Sequence, residues 1–230
     1  LRAGADTEGA LLACFQTREF PEWEECAKMI VHHGGDVNGN VGASLSMLCW
    51  VVDQCSVKDF QSSISKFVDF LLKHGADVQQ TVTWGEEAQI TALHIAVWHG
   101  KCQDVVARLL EAGADVHAVN ANGFTPLFGA VMNEAPLWCM QMLVQHGARV
   151  NGVWTREGRE TPLHVAARAA SSAARERLVV LLEAGADVDA VDARGCTPLF
   201  NAVLNRAPLS CLKVLSLQLF FCMCTAWPRD

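Results

Sequence analysis

Eight histidines and ten cysteines are the side chains of this 230-residue sequence best suited to chemistry, and their spacing sorts them. Nothing reads HExxH, GxSxG or a phosphate-cradling glycine loop, the short patterns that place a metal, a nucleophile or a phosphate. The cysteines are Cys14, Cys26, Cys49, Cys55, Cys102, Cys139, Cys196, Cys211, Cys222 and Cys224. They show none of the paired CxxC spacings of zinc sites, and Cys222-Met223-Cys224 has no further ligands beside it. They read as reduced, buried small hydrophobes of a cytoplasmic or nuclear protein. Cys102 and His99 could meet in space, but no oriented third group is legible to activate such a pair. His94 and His164 stand in threonine-headed motifs, while His74 and His146 precede glycine at helix ends, where a donor satisfies free carbonyls. The expectation is no catalytic residue, no cofactor and no metal.

Composition narrows the partners. The formal net charge is −7 and no Lys/Arg-rich run occurs, which argues against binding a nucleic-acid backbone. About half of the residues are hydrophobic (51%), enough to bury a large core. No charged n-region followed by an apolar h-region opens the chain. Leu1 stands in mid-motif, and the sequence reads as a fragment of a longer array.

That array is written as repetition. TALH, TPLF, TPLH and TPLF begin at Thr91, Thr125, Thr161 and Thr197, steps of 34, 36 and 36 residues. Gly-Ala-Asp signatures accompany them at Gly75, Gly113 and Gly185, with Gly-Ala-Arg at Gly147. Leu110–Leu143 and Leu182–Leu215 share 23 of 34 residues at an offset of 72, so a pair of repeats was duplicated. Each motif has a physical reading. Thr caps a helix by accepting a backbone N–H, Pro follows where its missing N–H costs nothing, and Leu turns inward. About 20 residues on, a second apolar helix ends at a Gly suited to the left-handed C′ position. Each unit is thus an antiparallel helix pair with a projecting turn, and units must stack to bury their faces.

TPLHVA at Thr161–Ala166 and LLEAGADVDA at Leu181–Ala190 resemble the ankyrin repeat family, whose signature is among the known repeat patterns. The resemblance is strong from Lys66 to Leu215. It implies an all-α solenoid of stacked antiparallel helix pairs with β-hairpin-like turns. The array is expected over 1–216: a repeat tail at 1–6, degenerate repeats at 7–38 and 39–78, clear repeats at 79–116, 117–150 and 151–188, and a truncated repeat at 189–216. In the degenerate units, helices are expected near Gly9–Gln16, Pro21–His33, Ser44–Asp53 and Ile64–His74.

Arrays of this kind recognise partners with positions the fold does not need. From each Gly of the turn motif to the next Thr the steps are 16, 12, 14 and 12 residues. The two long turns carry Trp84 and, in the other, Trp154, Arg156 and Arg159. Trp and Arg dominate binding hot spots. Two readings stay open: the tryptophans project from one side, or each folds back to close its own turn. By the resemblance, the inner face carries Trp98, His99, Phe124, Met132, Asn133, Glu160, Arg168, Arg194, Leu204 and Asn205. Phe124 and Met132 could equally pack against the next unit. Asn133 and Asn205 are expected to take the left-handed turn between helices, ahead of Pro136 and Pro208. The resemblance also brings one modification: Leu143, Val150 and Asn151 have the spacing of asparagine-hydroxylation turns, against the plainer reading of Asn151 as a polar turn residue.

The functional expectation is a non-enzymatic scaffold or adaptor that binds a protein or peptide through turn tips and concave face. The alternatives are the substrate-recognition part of a ubiquitin-ligase receptor of the ankyrin-repeat/SOCS-box kind, without a legible box, or the interaction domain of a larger enzyme or channel. No nucleic acid and no membrane are expected as partners, and uncapped ends suggest self-association. After Leu215 the repeat template is lost. The apolar tail at 217–230 is expected to continue helically and to lay Leu217, Phe220 and Phe221 over the end of the stack.

Overall fold

The threonine-headed motifs start helices as their side chains dictate. Thr125 Oγ1 accepts the N–H of Phe128 at 3.2 Å, and Thr197 Oγ1 that of Phe200 at 3.3 Å. Pro126, Pro162 and Pro198 open their helices. At Thr91 and Thr161 the histidine three residues on completes the cap, its Nδ1 accepting the threonine N–H at 3.3 and 3.2 Å. The computed structural model describes residues 7–16, 22–41, 45–56, 61–153, 158–169, 171 and 173–226, with the side chains at 7, 8, 16, 22, 23, 56, 61, 62 and 219–226 outside that description. The chain divides into two units, Leu1–Asp115 and Val116–Asp230.

The first unit holds α1 (Thr7–Gln16), α2 (Glu22–His32), β1 (Asn40–Val41), β2 (Leu45–Ser46), α3 (Met47–Asp53), a 3-10 turn (Gln54–Ser56), α4 (Gln61–Lys73), β3 (Val82–Trp84), β4 (Glu87–Ile90), α5 (Ala92–His99) and α6 (Gln103–Glu111). The turns are antiparallel hairpins, with Asn40 opposite Ser46 and Val82 opposite Ile90. α3 packs on α4 and α5, and α4 on α6. Leu11, Leu71, Leu93 and Leu109 are fully buried between them. Phe15 of α1 meets Phe67 of α4 edge-on, with ring centroids 4.7 Å apart. α3 begins later than the sequence suggested. Ser46 is its N-cap in extended backbone, accepting the Cys49 N–H at 3.3 Å, and Leu45–Ser46 belongs to the hairpin. Serine here takes the part that threonine plays in the clear repeats.

The second unit holds α7 (Pro126–Met132), α8 (Leu137–Gln145), α9 (Pro162–Arg168), α10 (Ala174–Glu183), α11 (Pro198–Leu204) and α12 (Leu209–Ala226). α9 packs on both α7 and α11, and α10 on both α8 and α12. Leu127, Leu143, Leu163, Leu178 and Leu181 are completely buried there. Truncating any of them to Ala would cost about 2–5 kcal/mol. The duplicated segments form a built-in comparison. Phe128 and Val131 of α7, with α9 packed on that helix, are 3% exposed, whereas their counterparts Phe200 and Val203 of α11 are 51% and 56% exposed.

Two expectations are corrected. Asn133 and Asn205 sit at φ −88° and −92°, and the left-handed residues are Glu134 (φ 52°) and Arg206 (φ 55°). The N–H groups of Ala135 and Ala207 close back onto Ala130 and Ala202 carbonyls at 2.9 Å, a closure that puts the left-handed residue one place beyond the cap. The tail does continue helically, since α12 runs to Ala226. Leu217, however, is 68% exposed rather than laid over the stack. Cys211 and Leu215 mark the buried stripe at i and i+4, and Leu217 lies two residues on, well round the helix. Phe220 and Phe221 have side chains outside the described residues. No helix among the described residues is long and apolar enough to cross a membrane.

Neighbouring turns are stitched by carboxamides that the sequence reading did not single out as structural. Asn38 donates to Gly75 O at 3.2 Å and accepts the Asp77 N–H at 2.6 Å. Gln79 donates to Gly113 O at 2.7 Å and accepts from Asp115 at 3.1 Å. Asn151 donates to Gly185 O at 3.0 Å and accepts from Asp187 at 2.8 Å. Each amide stands four residues after a helix-ending glycine (Gly34, Gly75, Gly147), so one turn's side chain satisfies the next turn's backbone.

Candidate interaction surface

In the first unit the long hairpin brings four side chains together. Trp84 lies on β3 and folds back onto the end of α5. Its ring stands nearly perpendicular to those of Trp98 and His99, with centroids 5.7 Å away in both cases. Asp53, the last residue of α3, joins the group through one oxygen. Its Oδ1 accepts the Trp84 Nε1–H at 3.0 Å and lies 3.0 Å from His99 Nε2. Asp53 was not foreseen, because nothing local distinguishes a helix-ending aspartate from a solvated one. Trp84 is half-buried, and Trp98 keeps 42% of its surface in water. The arrangement is a fixed aromatic platform with one exposed indole, since two hydrogen bonds to a carboxylate hold its supports.

The second unit distributes its candidates differently. Phe124 is buried and stacks on Phe128, centroids 5.1 Å apart and planes within 7°, so it serves packing. Met132 is 44% exposed, and Asn133 beside it has a buried Nδ2 with no partner among the described residues. Glu160 is buried and held by Arg168, whose guanidinium reaches both carboxylate oxygens at 2.9 and 3.0 Å. That pair satisfies itself internally. Arg194 leans on Asp192 at 3.2 Å and Asn201 at 3.4 Å. Burial pushes the Asp192 carboxyl up. The N–H groups of Cys196 and Arg194, with the Asn201 and Arg194 side chains, outweigh that and hold it at about 2. Leu204 and Asn205 are exposed at the end of α11, and Arg159 is exposed in left-handed backbone (φ 49°). Trp154 and Arg156 lie outside the described residues. Asn151 is exposed, yet both ends of its amide are engaged by the next turn.

Burial pushes Cys49 up to about 11 and Cys139 up to about 12, and raises Cys55, so these thiols are poor sources of thiolate. Among the described residues no group of three or more His, Cys, Asp and Glu side chains could hold a metal ion.

Helix pairs, hairpin turns and Thr-Pro caps have counterparts in known proteins. A profile of ankyrin repeats in three copies matches residues 57–153 and 93–190, and a second, of ankyrin repeats in many copies, matches 167–215. The chain belongs to the ankyrin repeat family. It is similar to Ankyrin repeat and SOCS box protein 6 of Homo sapiens, 34% identical over 64% of this chain and 34% of that protein. It is 34% identical to Neurogenic locus notch homolog protein 2 of Homo sapiens over 67% of this chain and 6% of that protein. A shorter stretch, 27% of this chain and 14% of the relative, is 51% identical to the B-cell lymphoma 3 protein homolog of Mus musculus. The chain therefore spans at most about a third of these relatives' lengths. Ankyrin repeats generally mediate protein–protein interaction and are generally non-enzymatic. The ankyrin helix pairs here hold Trp98 and Met132 exposed on the last turns of first helices, whereas Glu160 and Phe124 are consumed by packing.

Proposed function

We propose that this chain is a scaffold that binds a protein or peptide partner through turn tips and the ends of its first helices. The observation that carries the reading is the Trp84–Trp98–His99–Asp53 platform. Its exposed indole, Trp98, packs edge-on against Trp84, and Trp84 and His99 are themselves fixed in advance by two 3.0 Å contacts to the Asp53 carboxylate. A side chain already ordered loses little entropy on docking, and a large aromatic contributes much of a hot spot's energy. The mechanism is rigid presentation, with no chemical step. Cytoplasm is the proposed compartment, with reduced thiols. Crosslinking the intact chain to its cellular partners and mapping the sites tests the reading. Crosslinks should cluster around Trp84, Trp98, Met132 and Leu204, and Trp98→Ala should weaken capture at least tenfold without changing the circular dichroism spectrum. Crosslinks confined to the second helices of each pair would refute it.

A second reading makes the partner a ubiquitination substrate. It rests on the similarity to Ankyrin repeat and SOCS box proteins 6 and 16 of Homo sapiens, over 64% and 56% of this chain. It is separated from plain scaffolding by the partner's fate. Partner levels that rise on depletion of this protein favour it, and unchanged levels count against it.

A further inference from the structure

The turns of the second unit hold a cleft that nothing above uses. It encloses about 190 Å³ and is lined by His117, Val119, Phe128, Arg149 and Val153, with glycine and threonine completing the wall. Val119 and Val153 are exposed apolar walls at 56% and 44%, and Phe128, itself buried, forms part of the floor. No described lining residue is acidic.

Arg149 breaks the repeat's own rule. Aspartate stands at this position in other copies, among them Asp36, Asp77 and Asp187. Each of these three accepts the N–H two residues on, from Asn38, Gln79 and Asp189, at 2.8, 2.8 and 2.9 Å. Arginine has no acceptor, so this turn forgoes that bond. Arg149 gains nothing visible in exchange: it is exposed and has no ion-pair or hydrogen-bond partner among the described residues. A turn that gives up its own cap and carries an uncompensated guanidinium beside exposed valines is shaped for something outside the chain.

We propose that this cleft binds an acidic side chain flanked by aliphatic ones on a partner peptide. The carboxylate pairs with Arg149 in the bidentate geometry a guanidinium favours, and the aliphatic neighbours lie between Val119 and Val153. The chain's net charge is −7, so selection rests on this short-range pairing and not on long-range steering. The site deepens the scaffold reading by naming the partner's chemistry, and it is independent of the Trp98 platform.

The test uses the intact, 15N-labelled chain and three acetylated, amidated pentapeptides: Gly-Leu-Glu-Leu-Gly and its Gln and Lys counterparts. The Glu peptide should shift the amides of Val119, Arg149 and Val153 and bind about fivefold tighter than the Gln peptide, the size of one partly exposed ion pair. Arg149→Asp restores the capping aspartate of the other turns, so it should keep or raise the melting temperature. It should nonetheless abolish the preference for Glu and create one for Lys. Arg149→Gln should equalise the Glu and Gln peptides. Equal binding of the Glu and Gln peptides to the unaltered chain, or shifts confined to other residues, would overturn the proposal. So would an unchanged preference in Arg149→Asp. If Trp98→Ala still weakens partner capture in that case, the scaffold reading survives the loss of this site.

Discussion

Removing the Asp53 carboxylate should loosen the aromatic platform by a calculable amount. Asp53 Oδ1 receives the Trp84 indole N–H at 3.0 Å and stands 3.0 Å from His99 Nε2. Hydrogen bonds to a charged group contribute about 1.5–3 kcal/mol each when buried. The Asp53 side chain is 29% exposed and His99 15%, so water recovers part of that in the variant. Asp53→Ala should therefore cost about 2 kcal/mol. With a urea m-value of about 2 kcal/mol/M, the unfolding midpoint followed by far-UV circular dichroism should fall by about 1 M. The cause can be isolated with Trp84→Phe, which keeps the ring and deletes the donor. The double-mutant cycle should show about 1 kcal/mol of coupling between the two positions. A midpoint within about 0.2 M of the unaltered chain, or coupling below about 0.3 kcal/mol, would mean that the carboxylate does not hold the tryptophan.

The duplicated helices supply a second expectation. Phe128→Ala should cost about 3–5 kcal/mol because its ring is 3% exposed, while Phe200→Ala, at 51% exposure, should cost under about 1.5 kcal/mol; urea unfolding of the two variants compares them directly. The acid limb of stability should carry the signature of Asp192. Its folded carboxyl is held at about 2, below the usual carboxylate value, so its stabilisation is complete above about pH 4 and is lost as pH falls towards 2. Asp192→Asn should remove that part of the acid limb, about 2 kcal/mol at most, in thermal melts between pH 2 and 5. Gly113→Ala should lower stability by about 1 kcal/mol, since φ is +85° and nothing crowds the added Cβ, leaving backbone strain as the cost.

The fold was legible wherever backbone need and side chain coincide locally. Thr125 and Thr197 cap helices because a hydroxyl one residue ahead of proline has little else to do, and Gly75, Gly113, Gly147 and Gly185 carry positive φ where the motif demands it. What escaped was everything settled between segments distant in sequence. Asp53 lies 31 residues from Trp84 and 46 from His99, and no periodicity links them. Of the two open readings of the long turn, Trp84 takes the second and folds back against its own helix. Glu160 and Arg168 stood among the inner-face candidates, but their pairing was not legible, because Arg168 lies eight residues on, at the far end of the helix that begins after Thr161. The turn-stitching amides Asn38, Gln79 and Asn151 were visible as a register after glycine, but only neighbouring backbones reveal what they hold. Asn133 and Asn205 misled because asparagine tolerates left-handed backbone, whereas the loop closure assigns that conformation to Glu134 and Arg206.

Hydrogen exchange of the intact chain, free and bound to its captured partner, tests the claim of rigid presentation most directly. In the bound state, protection should rise at residues 82–99 and 117–133, which contain the exposed Trp98 and Met132. The second helices α4, α6, α8 and α10 should be unchanged, and no segment should go from unprotected to fully protected. Protection confined to the second helices, or the ordering of a long segment on binding, would contradict the account.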